Sequence, residues 1–189
     1  QSNFVEYFKN LKKQGLIKDL IHSGGLDGMD FRSQASIELL KTADIVISNP
    51  PFSLFREYMS QLIRYDKLFL VIGNQNAVSY KQIFDFISKD KIWHGYNHVK
   101  KFIKPDGGIQ SFGNICWFTN LYVKKKKFDF NPCKRYAGNH ISYPKYENLD
   151  AINVNRLKEM PVDYNGMIGV PITFIDKYNP NEFVIIGLD

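Results

Sequence analysis

Residues 45–52 have the sequence Ile-Val-Ile-Ser-Asn-Pro-Pro-Phe, an apolar stretch that runs directly into two consecutive prolines. Proline removes a backbone donor and fixes φ, so this stretch predicts a buried strand over 45–48 that ends in a stiff turn. A plain strand end does not explain why an amide side chain, Asn49, and an aromatic ring, Phe52, flank the stiffest dipeptide available. The turn is therefore our first candidate for a functional site.

Elements on both sides of the turn are predicted to alternate between helix and strand. Upstream, the pattern predicts a helix ended by Gly15, a strand over 16–22 and a second helix capped by Ser33. Downstream, it predicts a helix that is capped by Ser53 and has an apolar face of Phe55, Tyr58, Met59 and Leu62. A strand over 68–72 follows, and then a helix that begins at a Ser79–Gln82 capping box. Helices alternating with continuously apolar strands indicate an α/β fold, with a mostly parallel sheet covered on both faces.

The second half of the chain is less regular. A strand is predicted over 114–123, and four consecutive lysines follow it: Lys124, Lys125, Lys126 and Lys127. The stretch 131–155 has weak periodicity, and two closing strands are predicted over 171–175 and 183–186, separated by a turn over 179–181. We therefore expect a core over residues 1–123 and an irregular region with closing strands over 124–189, within one domain.

Composition limits the class of protein. The chain has 189 residues, 44% of them hydrophobic, which is enough for one substantial core. Its net charge of +6 favours an anionic partner such as nucleic acid, although an excess of lysine is also common on plain protein surfaces. No apolar run approaches the ~20 residues that span a bilayer, and no signal-peptide pattern is present. We expect a soluble, cytoplasmic protein.

Cysteine and histidine spacing gives no metal site. Cys116 and Cys133 lack paired spacing, which argues against a disulfide framework or a zinc site and for buried, inert thiols in a reducing compartment. His94 and His98 are four residues apart, but Gly95 weakens a helix there and no carboxylate is interleaved. We therefore expect no metal.

The proline turn has the chemistry to bind an amine. In an open α/β sheet ligands bind beyond the carboxyl ends of the strands, which is where residues 49–52 are expected to lie. The Asn49 side chain and the Pro50 carbonyl are two acceptors on a rigid support, and together they could engage both N–H donors of an exocyclic amino group. Phe52 would give a nucleobase a flat apolar surface, provided the base is flipped out or already single-stranded.

The turn and several longer stretches resemble known proteins. The tetrapeptide 49–52 resembles the catalytic motif of S-adenosylmethionine-dependent amino methyltransferases, a motif that also serves glutamine and RNA methylation. Longer stretches, in the same order along the chain, resemble the EcoRI-type adenine-specific DNA methyltransferase family; they are residues 30–33, 43–46, 48–58, 67–74, 143–146, 150–155 and 169–174. The resemblance covers nearly the whole chain.

This resemblance implies a Rossmann-like fold and a reaction. The expected activity is methyl transfer from S-adenosylmethionine to N6 of a flipped adenine in double-stranded DNA, by a monomer serving a restriction-modification system. It implies catalytic roles for Asn49, Pro50 and Phe52. Asn49 and, by similarity to related methyltransferases, Asp30 and Phe31 would contact the cofactor, although Asp30 could equally be a helix N-terminal residue. The lysines that follow residue 123 would contact DNA phosphates or form a solvated hairpin end.

One family feature has no counterpart in the sequence. The family carries, before a segment like 2–4, a strand ending in a Cys-Asn-Cys-Asp-Asp-Pro type of turn that would form part of the cofactor site. We therefore expect a catalytic core without this strand. Two alternative functions remain at this point: a catalytically inert DNA-binding module, and an RNA or protein-glutamine amino methyltransferase.

Overall fold

The computed structural model describes residues 2–19, 30–104, 106–122, 134–136 and 141–188. The chain divides into two compact units, Gln1–Thr42 and Ala43–Asp189, which we call the first and second units. The domain boundary expected between residues 123 and 124 lies outside the described residues and stays a prediction.

The first unit contains the helices α1 (Ser2–Lys13) and α2 (Gln34–Thr42). Gly15 ends α1 as predicted: its φ is 71°, and the amides of Gly15 and Leu16 donate to Lys12 and Leu11 carbonyls, each at 3.0 Å. Ser33 caps α2 as predicted, since its Oγ accepts from the Ser36 amide at 3.2 Å. Residues 16–19 of the strand expected over 16–22 form no strand, and the rest of that stretch lies outside the described residues.

The second unit contains a four-stranded sheet of β1 (Ile45–Ser48), β2 (Leu68–Asn74), β3 (Trp93–Ile103) and β4 (Ile109–Thr119). The strand order is β1-β2-β4-β3. β1 and β2 pair in parallel, whereas β4 pairs antiparallel with both β2 and β3. The described sheet is therefore mixed, where we expected a mostly parallel one. The reason is the short connection between β3 and β4, which only antiparallel neighbours can use.

Strand β3 is the strand of the four-stranded sheet that the sequence did not predict. It contains Gly95, and its pairing with β4 shifts register between His94 and His98 and between Val99 and Lys101. These irregularities break the period-2 pattern by which a strand is identified. The strand expected over 114–123 corresponds to the second half of β4, which begins earlier and ends at Thr119.

Two amphipathic helices of the second unit, α3 (Phe55–Arg64) and α4 (Lys81–Ser88), each bury one face, although Tyr58 of α3 is only half-buried. Phe55, Met59 and Leu62 of α3 are each at most 2% exposed. A Cβ built on Gly73 of β2 would lie 2.5 Å from the Phe55 ring and 2.9 Å from that of Phe118, so glycine lets both rings approach the strand. Within the described ranges, no helix is long and apolar enough to cross a membrane.

The expected side-chain caps of α3 and α4 are wrong. Leu54 and Tyr80 occupy the two N-cap positions without a side-chain cap bond. Each helix follows a 3-10 helix directly, Phe52–Leu54 before α3 and Gln75–Ser79 before α4, so Ser53 and Ser79 lie inside those preceding turns. Ser79 Oγ instead donates to the Asn76 carbonyl at 2.8 Å.

The C-terminal part has its own small core. The parallel strands β5 (Ala151–Asn153) and β6 (Met167–Gly169) form a two-stranded sheet. The buried residues of this core are Tyr143, Ile152, Val154, Met160 and Phe174. Both closing strands are wrong: Ile172–Lys177 is a 3-10 helix, and residues 183–186 have no regular structure. The turn at 179–181 is confirmed, because the amides of Glu182 and Phe183 both donate to the Asn179 carbonyl at 3.0 Å.

Candidate active site at the carboxyl edge of the sheet

The proline turn follows the carboxyl end of β1. β1 ends at Ser48, which pairs with Val71, and the neighbouring parallel strand β2 continues to Asn74. Parallel strands end at the same edge of a sheet, so Asn49 leaves β1 at the edge where open α/β sheets bind their ligands. The turn lies beyond the carboxyl end of a strand, as predicted, although β1 is the terminal strand of the described sheet and not a central one.

The two prolines fix the turn in different ways. Pro50 is buried, whereas Asn49 and Pro51 are exposed. Pro51, at φ −56° and ψ 126°, begins the 3-10 helix Phe52–Leu54, and its carbonyl accepts from the Leu54 amide at 3.0 Å. The Asn49 side chain makes no hydrogen bond to the part of the chain that the structure describes, so its amide is available to a ligand.

Phe52 and Phe55 begin consecutive helical segments but have opposite environments. Phe52 is 37% exposed, whereas Phe55 is 2% exposed and packs against Phe118 with ring centroids 4.9 Å apart. The backbone amide of Phe55 donates to the Phe52 carbonyl, which continues the 3-10 helix into α3. Phe52 is therefore partly accessible to solvent, while Phe55 anchors the turn to the core.

A hydrogen bond between Ser48 and Tyr58 joins the end of β1 to α3. Burial raises the pKa of the Tyr58 hydroxyl, and the bond with Ser48 acts in the opposite direction. The hydroxyl therefore remains protonated at neutral pH and can serve this contact. Sequence analysis missed this contact, because the pattern identified Tyr58 only as one of the residues on the apolar face of α3.

Asn74, at the end of β2, organises the backbone next to the turn. Its Oδ1 accepts from the Asn76 amide at 2.9 Å and from Asn114 Nδ2 at 3.1 Å. The first bond caps the 3-10 helix Gln75–Ser79, and the second reaches β4. Asn74 falls within the stretch 67–74 that resembles the family, but sequence analysis gave it no role.

A buried polar pair lies between β3 and the C-terminal 3-10 helix. His94 Nδ1 and Asp176 Oδ1 are 2.6 Å apart, and Gln75 Nε2 donates to Asp176 Oδ2 at 3.4 Å. The His94 side chain is 6% exposed and that of Asp176 31%. His94 therefore has a structural partner; the side chain of His98 lies outside the described residues. No group of metal ligands occurs among the described residues.

Asp30 and Phe31 lie in the first unit, just before α2. Arg32 donates to Asp30 Oδ1 from its backbone amide and from Nε, both at 2.9 Å. The guanidinium of Arg32 lowers the pKa of the Asp30 carboxyl to about 2, so the group is ionised throughout the neutral range. The Arg32 guanidinium carbon also lies 5.6 Å from the centroid of the Phe31 ring. Both interpretations of Asp30 therefore stay open. Its bonds with Arg32 suit a residue just before a helix, and its exposed carboxylate could also meet a cofactor.

An open depression of about 500 Å³ adjoins the start of α3; its lining residues are Ser53, Leu54, Arg56, Glu57, Ser60 and Gln82. Arg56 stacks on Tyr80, with its guanidinium carbon 5.1 Å from the ring centroid. The lining is mixed polar and apolar, unlike the apolar enclosure typical of a small-molecule pocket.

Two sequence expectations meet the described residues only in part. Lys124, Lys125, Lys126 and Lys127 lie outside them, so their contact with nucleic acid stays a prediction. Cys116 is buried, and burial above all, with the charge of Asp176, raises the pKa of its thiol to about 12. Its thiol is therefore inert, as predicted, whereas Cys133 lies outside the described residues.

A mixed α/β sheet with Asn-Pro-Pro-Phe at the carboxyl end of a strand is consistent with the methyltransferase class. The chain belongs to the EcoRI family of adenine-specific methyltransferases, whose family model matches residues 2–189. It is similar to the Type II methyltransferase M.EcoRI of Escherichia coli, with 46% identity over 201 residues, covering 97% of this chain and 62% of that protein. The family resemblance found in the sequence is confirmed.

Two mycoplasma proteins are also similar. The Type II methyltransferase M.MgeORF184P of Mycoplasma genitalium is 41% identical over 176 residues, covering 83% of this chain and 56% of that protein. The Type II methyltransferase M.MpnI of Mycoplasma pneumoniae is 38% identical over 175 residues, covering 82% of this chain and 55% of that protein. The chain thus spans little more than half the length of these relatives. No solved structure matches it.

Proposed function

We propose that this chain is the catalytic part of a site-specific DNA methyltransferase that acts on N6 of adenine and serves a restriction-modification system. Membership of the adenine-specific EcoRI family supports the substrate, and the Type II names of the relatives support the biological setting. The observation that carries the proposal is that Asn49 is exposed just beyond the carboxyl end of β1 and that Phe52, in the same turn, is 37% exposed. The enzyme would work as a monomer in the cytoplasm on double-stranded DNA.

The two acceptors activate the target amine. An exocyclic amino group is a poor nucleophile because its lone pair is delocalised into the base. The side-chain oxygen of Asn49 and the carbonyl of Pro50 would each accept one N–H, which favours a more tetrahedral nitrogen with an available lone pair. Buried Pro50 holds both groups in place, so their arrangement costs little reorganisation during reaction. Neither acceptor is a base, so the proton that the amine loses passes to solvent.

Phe52 positions the base. An adenine within a duplex cannot reach Asn49, so it has to leave the stack, at a cost of a few kcal/mol. Stacking on an exposed aromatic ring is worth ~1 to 3 kcal/mol and offsets part of that cost. The Ser48–Tyr58 hydrogen bond and the packing of Phe55 hold the segment that carries Phe52.

The cofactor expected from the family is S-adenosylmethionine, which supplies an electrophilic methyl group when bound. The residues present fit an adenine nucleoside in their chemistry, because the exposed carboxylate of Asp30 can accept from an amino group and Phe31 adds a flat ring beside it. Arg32 occupies only part of the acceptor capacity of Asp30. Asp30 and Phe31 would hold the adenosine.

The test is methyl transfer from labelled cofactor onto duplex DNA by the wild type and by Asn49→Ala. We expect the variant to lose ~10²-fold or more in rate, because one oriented acceptor is removed, while DNA binding changes little. Asn49→Asp keeps an acceptor at this position, so it should retain more activity than Asn49→Ala. Asn181→Ala, an exposed asparagine elsewhere in the second unit, is the control for a general effect of the substitution.

Near-normal turnover by Asn49→Ala would overturn the mechanism. The remaining alternatives give different outcomes in the same assay. An inert DNA-binding module would bind the duplex and transfer no methyl group, whereas an RNA or protein-glutamine methyltransferase would label RNA or protein in preference to DNA when the three compete.

A further inference from the structure

The hairpin of β3 and β4 extends beyond the rest of the sheet. The pairing of β2 with β4 ends at Asn74 opposite Ile115, but the pairing of β3 with β4 continues to Ile103 opposite Ile109. Residues 99–103 and 109–114, which we call the hairpin extension, therefore pass the carboxyl end of β2. Because β1 runs parallel to β2, the extension leaves the sheet at the same edge as the Asn49 turn.

The last paired strand positions of the extension are an exposed apolar pair, and the Lys104 amide donates to the Gly108 carbonyl at 2.8 Å just beyond them. Ile103 is 81% exposed and Ile109 is 66% exposed, and the two residues face each other across the strands. Folding of the hairpin does not require them, since the rings of Phe102 and Phe112 already pack edge to face with centroids 5.2 Å apart. Two adjacent isoleucines exposed to water are unfavourable, and binding to a partner would gain free energy by burying them.

Positive charge lies along the β3 side of this pair. Lys100, Lys101 and Lys104 are all exposed, and none forms an ion pair within the described residues. Asp106 is the single acidic residue in the sequence between residues 99 and 114, and its Oδ1 accepts from the Gly108 amide at 2.8 Å. Exposed isoleucines close to several lysines are complementary to duplex DNA, which offers phosphates beside an apolar base stack.

We propose that the hairpin extension is a DNA-contacting wedge, in which Ile103 and Ile109 press into the base stack beside the target adenine and the lysines contact the flanking phosphates. This inference rests on the proposed function and adds the surface that helps the base to leave the duplex. A second copy of the chain fits the surface less well. Two tips of like charge repel, and two isoleucines cannot supply the ~800 Å² per partner that a stable interface buries.

The first test replaces both isoleucines, Ile103→Ser with Ile109→Ser, and compares methylation of an intact duplex with that of a duplex mismatched at the target adenine. A mismatched base is already easy to unstack, so loss of a wedge should matter less there. We expect kcat/KM on the intact duplex to fall ~10-fold or more relative to the mismatched one. Fluorescence of 2-aminopurine at the target should also brighten less than with the wild type.

The matched control is Ile45→Ser. Ile45 is an isoleucine that is 49% exposed at the opposite, amino edge of the sheet. It should leave the ratio of intact to mismatched substrate at the wild-type value. Melting temperatures of the two serine variants would show whether any loss comes from unfolding, and a general loss of stability would not change the ratio between substrates.

The second test concerns the lysines. Lys101→Ala should weaken binding to all duplexes and flatten the salt dependence, because each lost phosphate contact lowers the slope of log K against log salt by about 0.9. Lys91→Ala is the control, since Lys91 is exposed just before β3, at the amino edge.

Failure of the wedge and failure of the proposed function are distinguishable. If the wild type transfers no methyl group to any DNA, the proposed function is overturned. If the wild type methylates duplex DNA and the double serine variant keeps the wild-type ratio of intact to mismatched substrate, the wedge alone is overturned. A wild type that dimerises, and becomes monomeric when both isoleucines are replaced, would instead make the extension an interface between copies.

Discussion

Single residues around the proline turn have sharply different environments. Asn49 is exposed, its neighbour Pro50 is buried, and Phe52 is exposed although Phe55 is in the core. A rigid turn that is held by buried residues, here Pro50 and Phe55, leaves residues between them exposed to solvent. A change at an exposed position should therefore affect chemistry, and a change at a buried one should affect stability.

Phe52 tests this distinction. We expect Phe52→Ala to lose activity by about fivefold to 150-fold, the equivalent of ~1 to 3 kcal/mol of stacking, with only a small change in melting temperature. Phe52→Trp should keep substantial activity, because a larger ring still stacks. The control is Phe55→Ala, which removes a ring that is 2% exposed and should cost ~3 to 5 kcal/mol of unfolding free energy. A large drop in the melting temperature of Phe52→Ala would make Phe52 a core residue.

Asp66 is a residue whose backbone conformation favours glycine. It ends α3 at φ 50°, with the amides of Asp66 and Lys67 donating to the Ile63 and Leu62 carbonyls, the same pattern by which Gly15 ends α1. Asp66→Gly should raise the free energy of unfolding by about 0.5 to 1 kcal/mol, whereas Asp66→Ala should lower it. Both variants remove the carboxylate, so opposite signs in urea denaturation would isolate the backbone effect. Equal changes in the free energy of unfolding of the two variants would contradict a backbone effect at Asp66.

At the scale of elements, the 3-10 helix Ile172–Lys177 is held against the sheet by polar contacts as well as by its core residue. Phe174 packs against Phe183 with centroids 5.2 Å apart, and Asp176 meets His94 and Gln75. This segment was expected to be a strand because Ile172, Thr173 and Ile175 have high β-propensity. The segment forms a 3-10 helix in spite of this propensity, because its tertiary contacts place Phe174 and Asp176 on the interior side.

Asp176→Ala should destabilise the second unit. It removes the partner of His94 Nδ1 in a buried site where Nε2 already lacks a partner within the described residues. A buried polar group without a partner costs ~1 to 3 kcal/mol, and we expect a loss of that size in chemical denaturation. Asp150→Ala is the matched control, because it breaks an exposed pair with Lys145 and should change stability much less. Equal effects of the two variants would show that burial of His94 contributes nothing.

At the scale of the molecule, the positive net charge fits the proposed DNA substrate. The chain carries a net charge of +6, and two basic regions are candidates for phosphate contacts: the hairpin extension and residues 124–127. Electrostatic binding of this kind does not depend on sequence, so it would support specific recognition without providing it.

The lysine run at 124–127 can be tested separately from the extension. Replacing all four lysines with alanine should weaken binding to every duplex by the same factor and flatten its salt dependence, provided that their side chains meet phosphates. Fluorescence anisotropy over a range of salt concentrations, with two unrelated duplexes, measures both quantities. An unchanged salt slope would assign the run to a solvated surface.

The sequence by itself determined those parts of this protein that depend on local pattern. The strand before the prolines, the buried face of α3 and the glycine that ends α1 follow from periodicity and from backbone chemistry within a few residues. The Asn49 turn was identified in the same way, because a strand that ends at two prolines places the next side chains at the edge of a sheet.

Only the tertiary structure decided how these parts combine. Strand β3 forms because β4 provides a partner, and that antiparallel pairing makes the sheet mixed and extends the hairpin beyond β2. The His94–Asp176 contact joins residues 82 positions apart, and Ser48 meets Tyr58 only once α3 packs on the sheet. Pairing partners and packed faces are distant in sequence, and no local pattern contains their identity.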